Sequence, residues 1–293
     1  MLILPAYAKL NLALDVVARR EDGMHDIDSV IVRIDWHDVV GVSVQPADEV
    51  EVELRVTGAA SAGVPVDGSN LAARAARALL ELGGGRHRAQ LWLDKRVPHA
   101  AGMGGGSADA ATTLVATATL LRRHGVDIAH GDLQRIALEL GSDVPVALAD
   151  CAQRVRGRGE LLTPVSVAPL HVAVAVAGRS STAAAFAALA PDEMSDGRRV
   201  AELVNQLGAP AEHSGMFGSA LEPAARRAAE GLAAAMEQVR ALSPRHEWHM
   251  TGSGGALFAV VSDRATAEAL AAAAGRAGFI ARACRTVFSH PSP

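Results

Sequence analysis

The chain contains almost no lysine and almost no cysteine. Lys9 and Lys95 are the only lysines among its 28 basic residues, and all the others are arginine. Two cysteines, Cys151 and Cys284, are too few for a disulfide framework or a clustered metal site, which favours a reducing compartment. The net charge of −4 argues against a broad basic surface for nucleic acid or an anionic membrane, and no apolar run approaches the length of a membrane span.

These absences predict a cytoplasmic protein with no nucleic-acid partner and no membrane. The apolar N-terminus lacks a basic leading segment and is interrupted by Lys9 and Asn11, so we interpret it as a strand and not as a signal peptide. The composition leaves open whether the chain is a monomer or a homodimer. With 293 residues, about half of them apolar, the chain can form two cores.

The scarcity of lysine makes the two that remain informative. An ammonium group is compact, whereas a guanidinium is a planar fork that needs more room. We therefore expect Lys9 and Lys95 to occupy positions that a guanidinium does not fit. The alternative is that these two lysines remain in an arginine-rich sequence by chance.

Hydrophobic periodicity predicts an α+β chain in two domains, 1–160 and 161–293, because residues 155–168 lose periodicity. The predicted strands cover 2–18, 30–34, 38–44, 50–56, 89–98, 171–178, two strands within 246–263, and 279–288. The predicted helices cover 69–85, 107–123, 132–141, 264–278 and stretches near 180–190, 198–207 and 222–242. The order of elements in the second half suggests a small ferredoxin-like sandwich.

A glycine cluster, "PHAAGMGGGS" at 98–107, joins a predicted strand to a predicted helix. Backbone N–H groups without side chains in the way, at the positive end of a helix, suit a polyphosphate. No Gly-Lys-Ser/Thr sequence closes the loop as in a Walker A motif, and the context does not match a dinucleotide-binding fingerprint. A plain turn without a ligand is the alternative.

Four other stretches carry candidate chemistry, each beside a structural alternative. Lys9 and Asn11 lie two residues apart on one strand, so their side chains share a face. His25 follows a glycine turn, which is usually structural. Asp143 precedes Pro145 by two residues, as a helix cap would. The Gly/Ser turn in "MTGSGGALF", residues 250–258, is typical of a hairpin, but its N–H groups and hydroxyls also suit a phosphate.

In this order, the motifs resemble those of the GHMP small-molecule kinase superfamily. "PAYAKLN" is similar to its P-x-x-K-x-N strand, "PHAAGMGGGS" to its P-x-x-x-G-L-G-x-x-S loop, and "MTGSGGALF" to its M-x-G-S-G-x-x-x-F turn. The resemblance covers nearly the whole chain. It implies a ribosomal-S5-like N-terminal α/β domain, a ferredoxin-like C-terminal domain, and transfer of a phosphoryl group from ATP with Mg²⁺.

Further matches, "REDGMHDIDS", "LGSDVPVAL" and "GRGELLTPV", resemble the branch that phosphorylates a cytidine diphosphate-linked polyol in isoprenoid precursor synthesis. The resemblance implies catalytic roles for Lys9 and Asp143. It implies an ATP site formed by Asn70, Leu71, Lys95, Pro98, Gly102, Met103, Gly104, Gly105, Gly106 and Ser107, with Asn70, Leu71 and Lys95 on the adenine side. It implies a small-molecule substrate, whose site is formed by Asn11, Met24, His25, Thr182, Phe186, Gly252 and Ser253, and it names no metal ligand.

Two positions depart from the family pattern. Met24 stands where relatives usually carry a tyrosine that stacks on cytosine, and a thioether lacks the π surface of that ring. Ala108 replaces a serine that often follows the loop. Three alternatives therefore stay open: a GHMP kinase for a homoserine- or mevalonate-type alcohol, a ligand sensor without turnover, and a structural domain whose glycine turns are coincidental.

Overall fold

The fold is built on a branched sheet of 11 strands in residues 1–207 and 214–288, the part of the chain that this computed structural model describes. The strands are β1 (Leu2–Arg19), β2 (His25–Pro46), β3 (Glu51–Thr57), β4 (His87–Asp94), β5 (Gln153–Gly157), β6 (Leu161–Pro164), β7 (His171–Val176), β8 (Gly218–Ser219), β9 (His249–Met250), β10 (Ala256–Val261) and β11 (Ile280–Val287). The α-helices are α1 (Leu71–Leu82), α2 (Gly105–Arg123), α3 (His130–Leu140), α4 (Val144–Leu148), α5 (Thr182–Ala187), α6 (Arg198–Gln206), α7 (Glu222–Ala228), α8 (Leu232–Ala241) and α9 (Arg264–Arg276).

The N-terminal half places a long antiparallel pair, β1 and β2, beside β4 and the parallel strand β3. Helices α1 and α2 bury alanine and leucine side chains against one face of this sheet, and α3 adds to the same core. Strand β2 is continuous over 22 residues, although the sequence predicted two strands at 30–34 and 38–44. The pairing shifts register between Tyr7 and Lys9, so an irregularity replaces the predicted break.

The C-terminal strands form an antiparallel sheet in the order β11–β7–β10–β9. This is the strand order of a ferredoxin-like sandwich, as the sequence predicted. The last strand also joins the two halves, because Thr286 and Val287 of β11 pair with Ile34 and Arg33 of β2. The two halves therefore share one continuous network of backbone hydrogen bonds.

Three local predictions were wrong in detail. The stretch 155–168, which lacks periodicity, contains most of a hairpin formed by β5 and β6, and β5 pairs with β2. The predicted helix 222–242 is two helices, and Gly231, with φ of 75°, begins the second. Helix α2 starts at Gly105, two residues before the predicted start, so the last glycines of the loop belong to its first turn. The division of domains between residues 160 and 161 stays a prediction.

The helices of the described part were also compared with the requirements of a membrane span. Within residues 1–207 and 214–288, none combines the length and the apolar character needed to cross a bilayer.

Candidate active site

A chain of hydrogen bonds on β1 and β2 fixes the side chain of Lys9. Its Nζ donates to Oδ1 of Asn11 at 2.6 Å, and Nδ2 of Asn11 donates to Oγ of Ser29 at 2.8 Å. The Ser29 hydroxyl in turn donates to the carbonyl of Ala13 at 2.7 Å. All of these side chains are buried, so the ammonium is held in one place before any ligand binds.

Asp143 lies beside this ammonium. It occupies the N-cap position of α4, but its side chain makes no capping hydrogen bond, so the capping alternative does not hold. Its Oδ2 lies 3.5 Å from Nζ of Lys9 instead. The Asp143 side chain is 41% exposed and that of Lys9 only 10%, so the carboxylate faces open space above a nearly buried cation.

The glycine loop passes directly over the stem of Lys9. The backbone N–H of Lys9 donates to the carbonyl of Met103 at 2.9 Å. Gly104 has φ of 66°, and a Cβ there would lie 2.9 Å from Cγ of Lys9. No side chain caps the N-terminus of α2, which begins at Gly105. The first N–H groups of this helix are therefore available to an anion next to the Lys9 ammonium.

The Gly/Ser turn packs backbone to backbone against the glycine loop. A Cβ at Gly102, whose φ is 77°, would lie 2.6 Å from the carbonyl oxygen of Thr251. Thr251 also accepts a hydrogen bond on Oγ1 from the N–H of Asn11 at 2.8 Å. A Cβ at Gly252 would lie 3.2 Å from Nζ of Lys9. Three sequence motifs that are far apart in the chain thus meet around one ammonium.

Four of the seven predicted substrate residues form two contacting pairs. Oγ1 of Thr182, at the start of α5, lies 2.8 Å from Oγ of Ser253 in the Gly/Ser turn. The rings of His25 and Phe186 stack with centroids 5.1 Å apart and planes inclined by 27°. Met24 is 46% exposed beside His25 in the chain. The aromatic pair and the hydroxyl pair both involve α5, so one helix positions both.

Comparison with known proteins agrees with this geometry. The family model for the GHMP kinases N terminal domain matches residues 70–157, and that for GHMP kinases C terminal matches residues 184–280. A 4-diphosphocytidyl-2-C-methyl-D-erythritol kinase of Polaromonas naphthalenivorans (strain CJ2) is 35% identical over 98% of this chain and 93% of the relative. This chain belongs to the GHMP kinase family.

Solved structures agree with that assignment. A crystal structure of 4-(cytidine 5'-diphospho)-2C-methyl-D-erythritol kinase matches with a TM-score of 0.76 at 30% identity, over 98% of this chain and 99% of that one. A homoserine kinase from Cytophaga hutchinsonii matches with a TM-score of 0.70 at 16% identity, over 98% and 95% of the two chains. The second likeness concerns the fold alone. The predicted two-domain GHMP fold and the assignment as a small-molecule kinase are confirmed.

The side chain of Lys95, which the family resemblance places on the adenine side of the ATP site, is buried between two carboxylates. Its ammonium donates to Asp38 and, at 2.5 Å, to Oδ2 of Asp109, and the side chain is 3% exposed. Its backbone N–H and carbonyl are bonded to Thr57 and Ala60. We call Asp38, Lys95 and Asp109 the buried ion cluster. A compact ammonium fits between two buried carboxylates, which accounts for a lysine at this position.

Burial and charge oppose each other inside the buried ion cluster. Burial disfavours the charge of Lys95, but Asp109 and Asp38 outweigh it and hold the pKa of Lys95 above its ordinary value. Burial raises the pKa of Asp109 to about 7 against the opposing attraction of Lys95, and Asp38 adds to the rise. Asp109 therefore exchanges a proton near neutral pH.

The remaining predicted ATP residues line the approach to the glycine loop or support it. Asn70 caps α1, since its Oδ1 accepts from the N–H of Ala72 at 2.9 Å, and it is buried. Leu71 and Pro98 are half-buried, as is Ser107 in the first turn of α2. Met103 is buried in the central core, so only its backbone faces the site. The other loop members, at half-buried or exposed positions, are Gly102, Gly104, Gly105 and Gly106.

Sequence reasoning missed several residues that hold the site together. Asp38 and Asp109 are the partners of Lys95, and the scarcity of lysine was the one signal that pointed towards them. Ser219 donates to the carbonyl of Gly252 at 2.7 Å, and Ser180 donates to the carbonyl of Ser253 at 2.9 Å. Neither serine lies in a recognisable motif, so tertiary structure alone identifies them.

Proposed function

We propose that this kinase transfers the γ-phosphoryl group of ATP, with Mg²⁺, to a hydroxyl of 4-diphosphocytidyl-2-C-methyl-D-erythritol, a step in isoprenoid precursor synthesis. The observation that carries the proposal is the contact of Lys9 with Asp143 at 3.5 Å beside an uncapped helix N-terminus in a glycine loop. The substrate is supported by a relative, a 4-diphosphocytidyl-2-C-methyl-D-erythritol kinase, that is 35% identical over 98% of the chain.

The glycine loop is the proposed phosphate site. The N–H groups of Gly105, Gly106 and Ser107 open α2, where the helix dipole adds positive charge. The described residues contain no group of three or more His, Cys, Asp or Glu side chains placed to hold a metal ion. Such a site fits Mg²⁺ that takes most of its ligands from nucleotide phosphates and water, and Mg²⁺ would neutralise charge on those phosphates.

Asp143 and Lys9 have different roles in the proposed reaction. The exposed carboxylate of Asp143 orients the substrate hydroxyl and accepts its proton late, because the transition state of phosphoryl transfer is loose. Lys9, held by Asn11, stabilises negative charge on the alcohol oxygen and on the transferring group. The buried hydrogen bonds behind Lys9 keep its ammonium in place throughout the reaction.

The aromatic pair His25–Phe186 is the proposed contact for the base of the substrate. The two rings already stack on each other, so the base packs on a free ring face or separates them. Met24 adds a thioether at the edge of this surface in place of a ring. Thr182 and Ser253 supply hydroxyls next to the aromatic pair for polar groups of the substrate.

A phosphorylation assay tests the proposed function. ADP formation is measured with Mg²⁺ and ATP against a panel of alcohols: the cytidine diphosphate-linked methylerythritol, the same polyol without the cytidine diphosphate group, homoserine and mevalonate. We expect turnover with the first alone. Preferential turnover of homoserine or mevalonate would replace the substrate, and binding without ADP formation would indicate a sensor.

A further inference from the structure

The buried ion cluster lies directly behind the glycine loop. A Cβ at Gly105 would lie 3.4 Å from Oδ2 of Asp38 and 3.2 Å from Cγ1 of Val97. Oδ1 of Asp38 accepts from the N–H groups of Arg96, at 2.5 Å, and Val97, at 2.8 Å. The same carboxylate therefore fixes the chain that enters the loop and touches the start of the helix that leaves it.

Asp109 connects the cluster to the helix itself. It lies in the second turn of α2, and the N-terminus of that helix is the proposed phosphate site. Its Oδ2 accepts from Lys95, while its Oδ1 is buried and has no hydrogen-bond partner. An unpartnered carboxylate oxygen at a fully buried position is costly when the group is ionised, and a proton removes that charge.

The charge of the cluster is unbalanced. Two carboxylates against one ammonium leave a net negative charge when both acids are ionised, and one proton makes the cluster neutral. Lys95 and Asp38 are the charged groups that act on Asp109. Of the strands packed against α2, β2 carries Asp38 and β1 carries Lys9, whose stem passes the N-cap Gly104. The helices packed against α2 bury apolar side chains: α1 buries alanines and leucines, α3 buries Ile136, Ala137 and Leu140, and α4 buries Val144 and Val146.

Lys9 approaches the loop at Gly104, the residue next to the one that Asp38 approaches. The stem of Lys9 passes Gly104, and Asp143 pairs with its ammonium. A polyphosphate at the loop would therefore lie near both the Lys9 ammonium and the buried ion cluster. A negative cluster opposes such an anion across low-dielectric protein, whereas a neutral cluster does not.

We propose that Asp109 is a positioning residue that takes up a proton when a polyphosphate binds at the glycine loop, so that nucleotide affinity and protonation of the buried ion cluster are coupled. The inference rests on the proposed ATP site. Because linkage is reciprocal, an anion that favours the proton is itself favoured by it. The pKa of Asp109, about 7, places the effect in the physiological range.

The direction of the effect follows from the charges. Below about pH 7 the cluster is neutral and nucleotide binds more tightly; above it the cluster is negative and binding weakens. A rise of half to one unit in the pKa of Asp109 on binding corresponds to roughly a twofold to fivefold weaker affinity at pH 8 than at pH 6. A merely structural cluster would give the same pH profile of affinity in the wild type and in Asp109→Asn.

Calorimetry with a non-hydrolysable ATP analogue and Mg²⁺ tests the coupling. Titrations at pH 7 in buffers of different ionisation enthalpy give the number of protons taken up on binding. We expect fractional proton uptake in the wild type, its loss in Asp109→Asn, and its retention in Asp127→Asn. Asp127 is a matched control because it lies just beyond the other end of α2 and its side chain is 80% exposed.

Each outcome has a distinct meaning. Equal proton uptake in the wild type and Asp109→Asn would overturn the coupling, and no binding of the analogue to the wild type would instead contradict the proposed ATP site. If Asp109→Asn does not fold, infrared difference spectroscopy on the wild type replaces it. A protonated-carboxyl band that appears on analogue binding supports the proposal, and its absence rejects it.

Discussion

Nζ of Lys9 and Oδ2 of Asp143 lie 3.5 Å apart, and the two groups differ sharply in exposure. The ammonium of Lys9 is held by its hydrogen bond to Asn11, whereas the side chain of Asp143 makes no capping hydrogen bond to its own helix. The carboxylate is therefore free to receive a hydroxyl group while the ammonium remains in place. This relationship underlies the first two predictions.

Asp143→Asn is expected to lower kcat by about 10²–10⁴-fold, the usual effect of losing an acid–base group. ATP binding should remain almost unchanged, because the phosphate loop does not depend on this side chain. Steady-state kinetics and nucleotide titration measure the two effects separately. Asp132→Asn is a suitable control, since Asp132 is 38% exposed on α3 and pairs with Arg135. A turnover of Asp143→Asn equal to that of the control would remove Asp143 from the chemistry.

Lys9→Arg is expected to lower kcat/KM by about 10²-fold or more, although the charge is kept. Gly104 and Gly252 approach the lysine side chain so closely that a planar guanidinium has no room. The measurement is kcat/KM together with thermal unfolding, which separates a local defect from loss of the fold. Nearly normal kinetics would show that the site tolerates the larger fork.

Gly102→Ala is expected to destabilise the loop beyond the ordinary penalty for positive φ. That penalty is about 1–2 kcal/mol, and the clash of Cβ with the Thr251 carbonyl adds about 1–3 kcal/mol. Gly125→Ala is the matched control, because Gly125 has φ of 81° and nothing within 4 Å of the added Cβ. Denaturant unfolding of both variants gives the difference. Equal losses would mean that the two turns are not in tight contact.

Arg199→Met is expected to lower the free energy of unfolding by about 3–5 kcal/mol, because it leaves a buried carboxylate unpaired. Arg199 forms two hydrogen bonds to Asp15, which is 2% exposed, and also donates to the carbonyl of Leu14. Arg198→Met, at an 89% exposed neighbouring position, should change stability by less than about 0.5 kcal/mol. Similar losses in both variants would argue against a special role for the Asp15 pair.

His249 should make stability fall in mild acid. Burial is the main cause that lowers its pKa, against the opposing attraction of Glu247, and its ring lies against Phe217 and Phe258. The native state therefore binds fewer protons than the unfolded state, so this stability is complete above the ordinary value of 6.5 and is lost as pH falls through the lower native pKa.

Unfolding of His249→Gln measured against pH tests this prediction. The variant should lose less stability between pH 7 and pH 5 than the wild type. His130→Gln, which changes an exposed histidine at the start of α3, should behave as the wild type does. Parallel pH profiles for the wild type and His249→Gln would exclude His249 as the source.

Much of the architecture is encoded locally. The N-cap Asn70, the glycine run before α2, and the β…ββαβ tail could each be recognised from residue type and period alone. The predicted secondary structure was wrong where contacts with a distant part of the chain decide which element forms. The hairpin of β5 and β6 has little periodicity of its own and exists because β2 offers an edge for pairing. Strand β2 remains continuous because its pairing with β1 shifts register at an irregularity, where the sequence predicted a break between two strands.

By itself, the sequence determined that a lysine strand, a glycine loop and a Gly/Ser turn occur in the order of the GHMP kinases. It also predicted that the two lysines occupy positions that a guanidinium does not fit. Only the tertiary structure decided what each lysine contacts: Lys9 meets the carboxylate of Asp143, and Lys95 is enclosed by Asp38 and Asp109. The physical reason is that ion pairing and desolvation depend on distance and burial, which long-range strand pairing sets.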